Sequence, residues 1–267
     1  MSTQSLNSLT EAFGQLPEVL AVVLGGSRAS DSNDALSDFD LYIYCESPIS
    51  RQVRKQIISE HCAYLELANR FWEEEDDFVL NDGTVVELIY RQMDEFAQGI
   101  DATVRQGQAT VGYSTCFWFS LLNAKVLYER GECISQLQQK YRVVYPSILR
   151  QSIIDKNLPL LLSVIPAYPD QINKAVQRGD RVSVQHRITA YLASYFDVLF
   201  AVNELPHPGE KRLLSFALQH CQHLPVEFEA SLCKLLSPKS DDELSSALRF
   251  MSEQIETLVL SQMKDMK

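Results

Sequence analysis

Short apolar runs alternate with polar stretches between Val19 and Tyr90. Runs rich in Val, Ile, Leu, Phe and Tyr are typical of β-strands, and the polar stretches between them leave room for helices. This alternation predicts a mixed α/β unit. The predicted strands are residues 20–24, 39–44, 77–80 and 85–90.

The last two of these runs flank the tripeptide Asn81-Asp82-Gly83. Asn and Asp tolerate a positive φ and Gly adopts one freely, so this tripeptide is typical of a tight turn. The sequence therefore predicts an antiparallel hairpin. The acidic residues 73–77, which lead into it, are typical of a solvent-exposed stretch before a strand.

Strand signals end after about Gly112, and the rest of the chain has the pattern of helices. Apolar side chains recur there at steps of three and four residues, which gathers them on one face of a helix. The clearest case predicts a helix over residues 181–203, ended by Pro206, Pro208 and Gly209. Further helices are predicted over residues 114–128, 146–164 and 241–263.

Charge and composition narrow the class of partner. The chain has 267 residues, with 24 Lys and Arg against 35 Asp and Glu, for a formal net charge of −11. Such a charge repels polyanions and favours cationic small molecules, so we expect no DNA partner. The length suits one large or two modest domains.

Three observations bear on the compartment. The first ten residues are polar and lack the basic segment and apolar run of a secretory signal. No stretch approaches the roughly 18 apolar residues that a membrane span needs. The 6 cysteines are scattered through the chain, as is typical of a reducing compartment. We expect a cytoplasmic protein with no membrane contact, as a monomer or a homodimer.

Candidate chemistry begins where the first predicted strand ends. Gly25-Gly26-Ser27 follows that strand, and Arg28 opens a predicted helix. Backbone N–H groups at such a turn, together with the Ser27 hydroxyl, can bind an anion, and small residues let a phosphate approach closely. Arg28 could add a positive charge beside it. A plain turn without a ligand is the alternative.

Two acids, Asp38 and Asp40, lie two positions apart at the start of the second predicted strand. Both carboxylates then project from one face, while Phe39 and Leu41 turn to the core. Adjacent carboxylates repel each other unless a divalent cation lies between them, and Mg²⁺ is usually held by such groups plus substrate phosphates. Alternatively, Asp38 is a loop residue that bonds its own backbone.

Glu87 is the one acid in the apolar run 84–90. An ionised Glu among apolar neighbours is costly unless it is paired or bound to a metal. If this strand lies beside the one that carries Asp38 and Asp40, three carboxylates meet, as two-metal phosphoryl transfer requires. Pairing with Arg91 is the alternative.

The order of these features resembles the polymerase-beta-like nucleotidyltransferase superfamily over about residues 19–90. The short α/β unit followed by helices is similar to bacterial antibiotic-type nucleotidyltransferases, which include aminoglycoside and lincosamide enzymes. The resemblance implies an α/β (α+β) N-terminal nucleotidyltransferase domain with a mixed sheet, residues 1–107. An all-α helical-bundle domain, residues 108–267, would follow it and bind the acceptor.

The resemblance also implies roles for the residues that carry it. Gly25, Gly26 and Ser27 would hold the triphosphate, and Asp38 and Asp40 would bind Mg²⁺, with two ions in all. Glu87 would be the third metal ligand or the base for the acceptor hydroxyl. The implied reaction moves a nucleoside monophosphate, AMP, from a nucleoside triphosphate to a hydroxyl of a small molecule such as an aminoglycoside-like antibiotic.

Lys211 is a further candidate for the nucleotide, because a lysine at a predicted helix start is disfavoured by the helix dipole unless it has an anionic partner. An ordinary surface lysine is the alternative. Two other functions stay open at this point. The chain could adenylylate a protein hydroxyl, or it could be a catalytically inactive descendant that binds a nucleotide or a partner.

Overall fold

The computed structural model describes residues 3–29, 38–71 and 73–264 of the chain. The chain forms two compact units. The first comprises Met1–Asp101 and Ser120–Val143, and the second comprises Ala102–Phe119 and Val144–Lys267. This division differs from the predicted single boundary after residue 107, because residues 120–143 return to the first unit.

Helices and strands alternate through the first part of the chain. In chain order they are α1 (Thr3–Gly14), β1 (Val19–Leu24), α2 (Gly26–Ala29), β2 (Phe39–Cys45), α3 (Arg51–Ser59), β3 (Cys62–Asn69), β4 (Glu75–Leu80), β5 (Val85–Gln92) and α4 (Met93–Val104). They are followed by α5 (Cys116–Asn123), β6 (Lys125–Glu129) and α6 (Cys133–Tyr141).

The strands form one six-stranded sheet in the order β3-β4-β5-β2-β1-β6. Strands β2 and β5 are parallel, and every other neighbouring pair is antiparallel. The predicted mixed sheet is therefore confirmed. The predicted hairpin is confirmed as well: β4 and β5 pair with Val79 opposite Val85, and Gly83 has a φ of +85° in the turn.

One face of the sheet is covered by the core of the first unit. Phe39, Leu41 and Ile43 of β2 are buried in that core, as are Val86 and Leu88 of β5. Because side chains alternate along a strand, the residues between them lie on the other face of the sheet. The central strands thus bury one row of side chains and present the other to the opposite face.

The prediction of a helix over residues 114–128 is wrong in its second half. Helix α5 ends at Asn123, and β6 then pairs antiparallel with β1, with Ala21 opposite Glu129. This pairing joins segments that are distant in sequence and satisfies the backbone hydrogen bonds of the sheet edge. Because β6 pairs with β1, residues 120–143 belong to the first unit.

The prediction of a solvent-exposed acidic stretch is wrong for Glu75 and Asp76, which are buried in β4. Asp76 accepts hydrogen bonds from the backbone N–H of Ala68 and the hydroxyl of Tyr90, each at 2.7 Å. The guanidinium of Arg54, itself buried, lies 3.5 Å from the same carboxylate. These partners compensate for the loss of water around a buried charge.

The second unit is helical. Its remaining helices are α7 (Ser147–Leu162), α8 (Tyr168–Gln177), α9 (Arg181–Val202), α10 (Leu213–His220), α11 (Phe228–Leu236) and α12 (Asp241–Lys264). The three long helices predicted from apolar spacing correspond to α7, α9 and α12 and are confirmed. Helix α9 lies at the centre of the unit's core, which includes Tyr191, Tyr195 and Leu199.

Polar groups inside the second unit are joined by hydrogen bonds. Buried Asp197 of α9 accepts from the backbone N–H of Ser114 at 3.0 Å and from its hydroxyl at 2.6 Å. Asn157 of α7 donates to the same carboxylate at 3.2 Å. Burial raises the pKa of Asp197 to about 6, and the bonds from Ser114 oppose that rise. None of the described helices combines the length and apolar character required to cross a bilayer.

Candidate active site

Asp40 and Glu87 are direct neighbours on the parallel strands β2 and β5. Each lies between two residues of the buried core, so both carboxylates project from the opposite face of the sheet. The predicted adjacency of these two strands is confirmed, and the two acids occupy the same register. A carboxyl pair is thereby fixed by backbone pairing alone.

The two carboxyl groups interact directly. Burial, the charge of Asp40 and a hydrogen bond with it, in that order, raise the pKa of Glu87 to about 7, with further contributions from the charges of Asp38 and Asp77. The protonated Glu87 donates this bond, since two ionised carboxylates cannot share one. Without a cation, the pair therefore holds a proton near neutral pH.

The turn after β1 packs against Asp40. The backbone N–H of Gly25 donates to the backbone carbonyl of Asp40 at 2.8 Å. Gly26 has a φ of +60°, and a Cβ added there would lie 1.7 Å from Oδ2 of Asp40. Only glycine fits this position, because any side chain would collide with the carboxylate and strain the backbone.

The other predicted site residues of the first unit lie around this turn. Asp38 is exposed and directly precedes β2. Its carbonyl accepts a hydrogen bond from Nε of Arg28 at 3.2 Å, and the Arg28 guanidinium lies 4.0 Å from the ring centroid of Phe39. Ser27 lies in α2. Residues 30–37, between these segments, lie outside the described residues.

Lys211 is separated in sequence from all of these residues. It is exposed, in the turn before α10, and belongs to the second unit. Its proposed contact with a nucleotide stays a prediction.

Sequence reasoning missed Asp77 as a neighbour of the site. It lies opposite Glu87 on β4 and accepts a hydrogen bond from the side-chain amide of Asn69 at 2.9 Å. Glu87 is therefore flanked by one acid on each neighbouring strand. The tight turn at Asn81-Asp82-Gly83 fixes this register, so counting back from it would have placed the two acids opposite each other.

The alternative partner for Glu87 has a different role in the structure. Arg91 forms an ion pair with Glu73, with Nε and one terminal nitrogen 2.8 and 2.6 Å from the two carboxylate oxygens. Its guanidinium also lies 4.3 Å from the ring centroid of Tyr42. The Arg91 guanidinium thus pairs with Glu73 and stacks on Tyr42, so the ion pair with Glu87 that the alternative required is not the contact that the structure shows.

Two carboxylates, those of Asp40 and Glu87, form a set of oxygen ligands that suits a divalent cation. No group of three or more His, Cys, Asp or Glu side chains within residues 3–29, 38–71 and 73–264 is arranged to hold a metal ion. Magnesium is usually held by one or two carboxylates, with water and substrate phosphates supplying the remaining oxygens. Asp40 and Glu87 beside the glycine turn meet that requirement. The role of Asp38 as a further ligand stays a prediction.

The raised pKa of Glu87 makes the stability of the metal-free protein depend on pH. The pKa is about 7 in the folded chain against an ordinary 4.5, so between these values the folded form holds a proton that the unfolded form has released. Raising the pH through this window therefore destabilises the fold. For this half-buried group we expect a loss of about 1–2 kcal/mol, which Glu87→Gln abolishes.

Denaturant unfolding of both forms in EDTA at pH 5, 6, 7 and 8 measures this effect. The expected result is a stability difference that grows in favour of Glu87→Gln as the pH rises. Other titrating groups, such as Asp197, contribute to both curves and cancel in the difference. Parallel curves would show that Glu87 does not share a proton with Asp40.

The structure thus sets a glycine turn against carboxylates on two parallel strands of a mixed sheet, as the resemblance in the sequence implies. Residues 6–97 match the family model of the nucleotidyltransferase domain. The chain therefore carries a nucleotidyltransferase domain, and the predicted enzyme class is confirmed. The match spans β1 to β5 and so includes the turn, Asp40 and Glu87.

Solved structures show similar chains at low identity. A nucleotidyltransferase-like protein from Exiguobacterium sibiricum is 13% identical, with 97% of this chain and 74% of that one covered and a TM-score of 0.46. An aminoglycoside 6-adenyltransferase from Bacillus subtilis is 10% identical, with coverage of 99% and 92% and a TM-score of 0.34. A spectinomycin adenyltransferase from Enterococcus faecialis, solved with ATP and spectinomycin, is 11% identical, with coverage of 96% and 100% and a TM-score of 0.35.

These TM-scores are all below 0.5, so the likenesses carry no information on substrate or residue roles. No curated protein gives a significant sequence match to the chain.

Proposed function

We propose that the chain transfers a nucleoside monophosphate from a nucleoside triphosphate to a hydroxyl group of a small molecule, with Mg²⁺ as cofactor. The observation that carries the proposal is the in-register pair of Asp40 and Glu87 against the turn at Gly25 and Gly26. In such a reaction the acceptor oxygen attacks the α-phosphorus in line, its hydroxyl proton passes to a base, and pyrophosphate leaves. Glu87 is either a ligand of the cation or this base. Bound Mg²⁺ would neutralise the charge of the triphosphate and of the leaving pyrophosphate.

The residues of the first unit have distinct tasks in this proposal. Asp40 and Glu87 hold the cation, with Asp38 as a further ligand. The turn at Gly25 and Gly26, together with Ser27, receives the triphosphate, because backbone N–H groups at a turn that leads into a helix can bind an anion. Loss of the proton that Glu87 holds near neutral pH would free both carboxylates to bind the cation.

The acceptor is the less specified partner. A formal net charge of −11 favours a cationic molecule, and an aminoglycoside-like compound combines amino groups with the required hydroxyls. ATP is the proposed donor. We assign acceptor recognition to the helical second unit, and two Mg²⁺ ions to the reaction. Two alternatives remain: a protein hydroxyl could be the acceptor, or the chain could bind a nucleotide without turning it over. One assay of pyrophosphate release and label transfer distinguishes them.

That assay follows pyrophosphate release from each of the four common nucleoside triphosphates, with Mg²⁺ or with EDTA, in the presence and absence of an aminoglycoside panel. We expect release that requires both Mg²⁺ and an acceptor, with the label of α-³²P-ATP transferred to a small molecule. Label on a protein in a bacterial lysate would identify a protein acceptor instead. Triphosphate binding without release under any condition would contradict the proposed transfer.

A further inference from the structure

The ring of Tyr42 lies directly against the backbone of the glycine turn. A Cβ added to Gly25 would lie 2.2 Å from Cε2 and 2.9 Å from Cδ2 of that ring. Atoms this close cannot coexist, so the ring occupies the space that a side chain at residue 25 would need. Gly25 has no positive φ, and the ring is therefore the obstacle to alanine at this position.

Tyr42 and Asp40 contact the turn from the same face of β2. They are two residues apart on the strand, and each blocks the side-chain position of one of the two glycines, Tyr42 at Gly25 and Asp40 at Gly26. The backbone of the turn thus rests on an aromatic ring at one residue and on a candidate metal ligand at the next.

The ring is in turn held by Arg91. The guanidinium lies 4.3 Å from the centroid of Tyr42, within the range of a cation–π interaction. It is fixed by its two hydrogen bonds to Glu73. The side chain of Arg91 is 10% exposed, so these contacts are largely shielded from water. A planar guanidinium can bind a carboxylate through two parallel hydrogen bonds and stack on a ring at once, which suits an arginine to both contacts.

We propose that Tyr42 and Arg91, with Glu73, are positioning residues that set the place of the Gly25–Gly26 backbone relative to Asp40. The proposal rests on the proposed function, because it assigns these side chains to the accuracy of triphosphate binding. They do not touch the reacting atoms. Their effect reaches the reaction through the glycine turn, where a displacement of about 1 Å can cost on the order of 100-fold in rate.

The test combines two substitutions: Gly25→Ala, which adds a Cβ to the turn, and Tyr42→Val, which removes the ring that this Cβ would meet. Valine at position 42 suits a β-strand but ends before the ring atoms that would meet the new Cβ. We expect Gly25→Ala to lower kcat/KM for ATP with Mg²⁺ by about 100-fold and Tyr42→Val to lower it by about tenfold. The double variant should recover to about the level of Tyr42→Val alone, because the collision is gone.

A matched control separates this role from general stability. Tyr90 has a similar cation–π contact, with the guanidinium of Arg54 at 4.4 Å from its ring centroid, but it packs on the core side of the sheet. Tyr90→Val should lower the melting temperature as Tyr42→Val does. Only Tyr42→Val and Arg91→Met should also raise the KM for ATP, by about tenfold. All variants are assayed well below their melting temperatures.

The outcomes separate this inference from the proposed function. If the wild type turns over ATP and the double variant is about 1,000-fold impaired, the two losses simply add and the ring does not set the turn. An equal rise in KM for Tyr90→Val would likewise overturn the inference and leave the proposed function intact. A wild type that neither binds nor turns over any triphosphate would overturn both.

Discussion

Replacing Asp40 by Asn is expected to lower the turnover of the triphosphate by at least about 1,000-fold without unfolding the protein. An amide is a poor ligand for Mg²⁺, and the loss of one of two carboxylates removes several kcal/mol of charge neutralisation in the transition state. The fold should tolerate the change, because an amide can still hydrogen-bond to Glu87 and the repulsion between two carboxylates disappears.

Two measurements complete this prediction. The melting temperature in EDTA at pH 8 should be equal to or higher than that of the wild type, while the stabilisation that Mg²⁺ and ATP give the wild type should be lost. Asp94→Asn is the control, since Asp94 is an exposed acid in the first turn of α4. Mg²⁺-dependent turnover that survives in Asp40→Asn would defeat the assignment of the cation site.

Replacing Gly26 by Ala is expected to lower kcat/KM for the triphosphate by about 100-fold or more. The new Cβ would lie 1.7 Å from Oδ2 of Asp40, so the carboxylate or the turn must move. A displaced ligand or phosphate cradle costs on the order of 100-fold in rate. The positive φ adds backbone strain of roughly 1–2 kcal/mol, which lowers the melting temperature.

Gly83→Ala provides a control for that strain. Gly83 has a φ of +85°, and a Cβ there would meet nothing within 4 Å. This variant should therefore lose stability in the same way as Gly26→Ala and keep its kcat/KM. Equal losses of activity in the two variants would mean that the collision with Asp40 has no bearing on the reaction.

The parts of the fold that the sequence predicted are those with a local signal. The turn residues Asn81-Asp82-Gly83 have backbone preferences that define a hairpin wherever they occur between strands. The apolar spacing of α9 likewise depends only on the period of a helix. The site could be predicted in outline for a similar reason, because alternation along β2 and β5 places Asp40 and Glu87 on the face away from the core.

The parts that were missed depend on contacts between distant residues. Strand β6 is defined by its pairing with β1, more than a hundred residues earlier, and its five residues are too few for a clear pattern. Asp76 is buried because Arg54 and Tyr90 meet it from other elements. The contact of Tyr42 with Gly25 is of the same kind, since nothing local distinguishes that tyrosine from any other strand aromatic.

A divalent cation is expected to bind between Asp40 and Glu87 together with a triphosphate. Anomalous diffraction from crystals grown with Mn²⁺ and a non-hydrolysable ATP analogue would locate both. The expected result is an anomalous peak within about 2.5 Å of a carboxylate oxygen of each acid, with the triphosphate against the turn at Gly25 and Gly26. An analogue bound elsewhere, with the two carboxyl groups still hydrogen-bonded to each other, would contradict it.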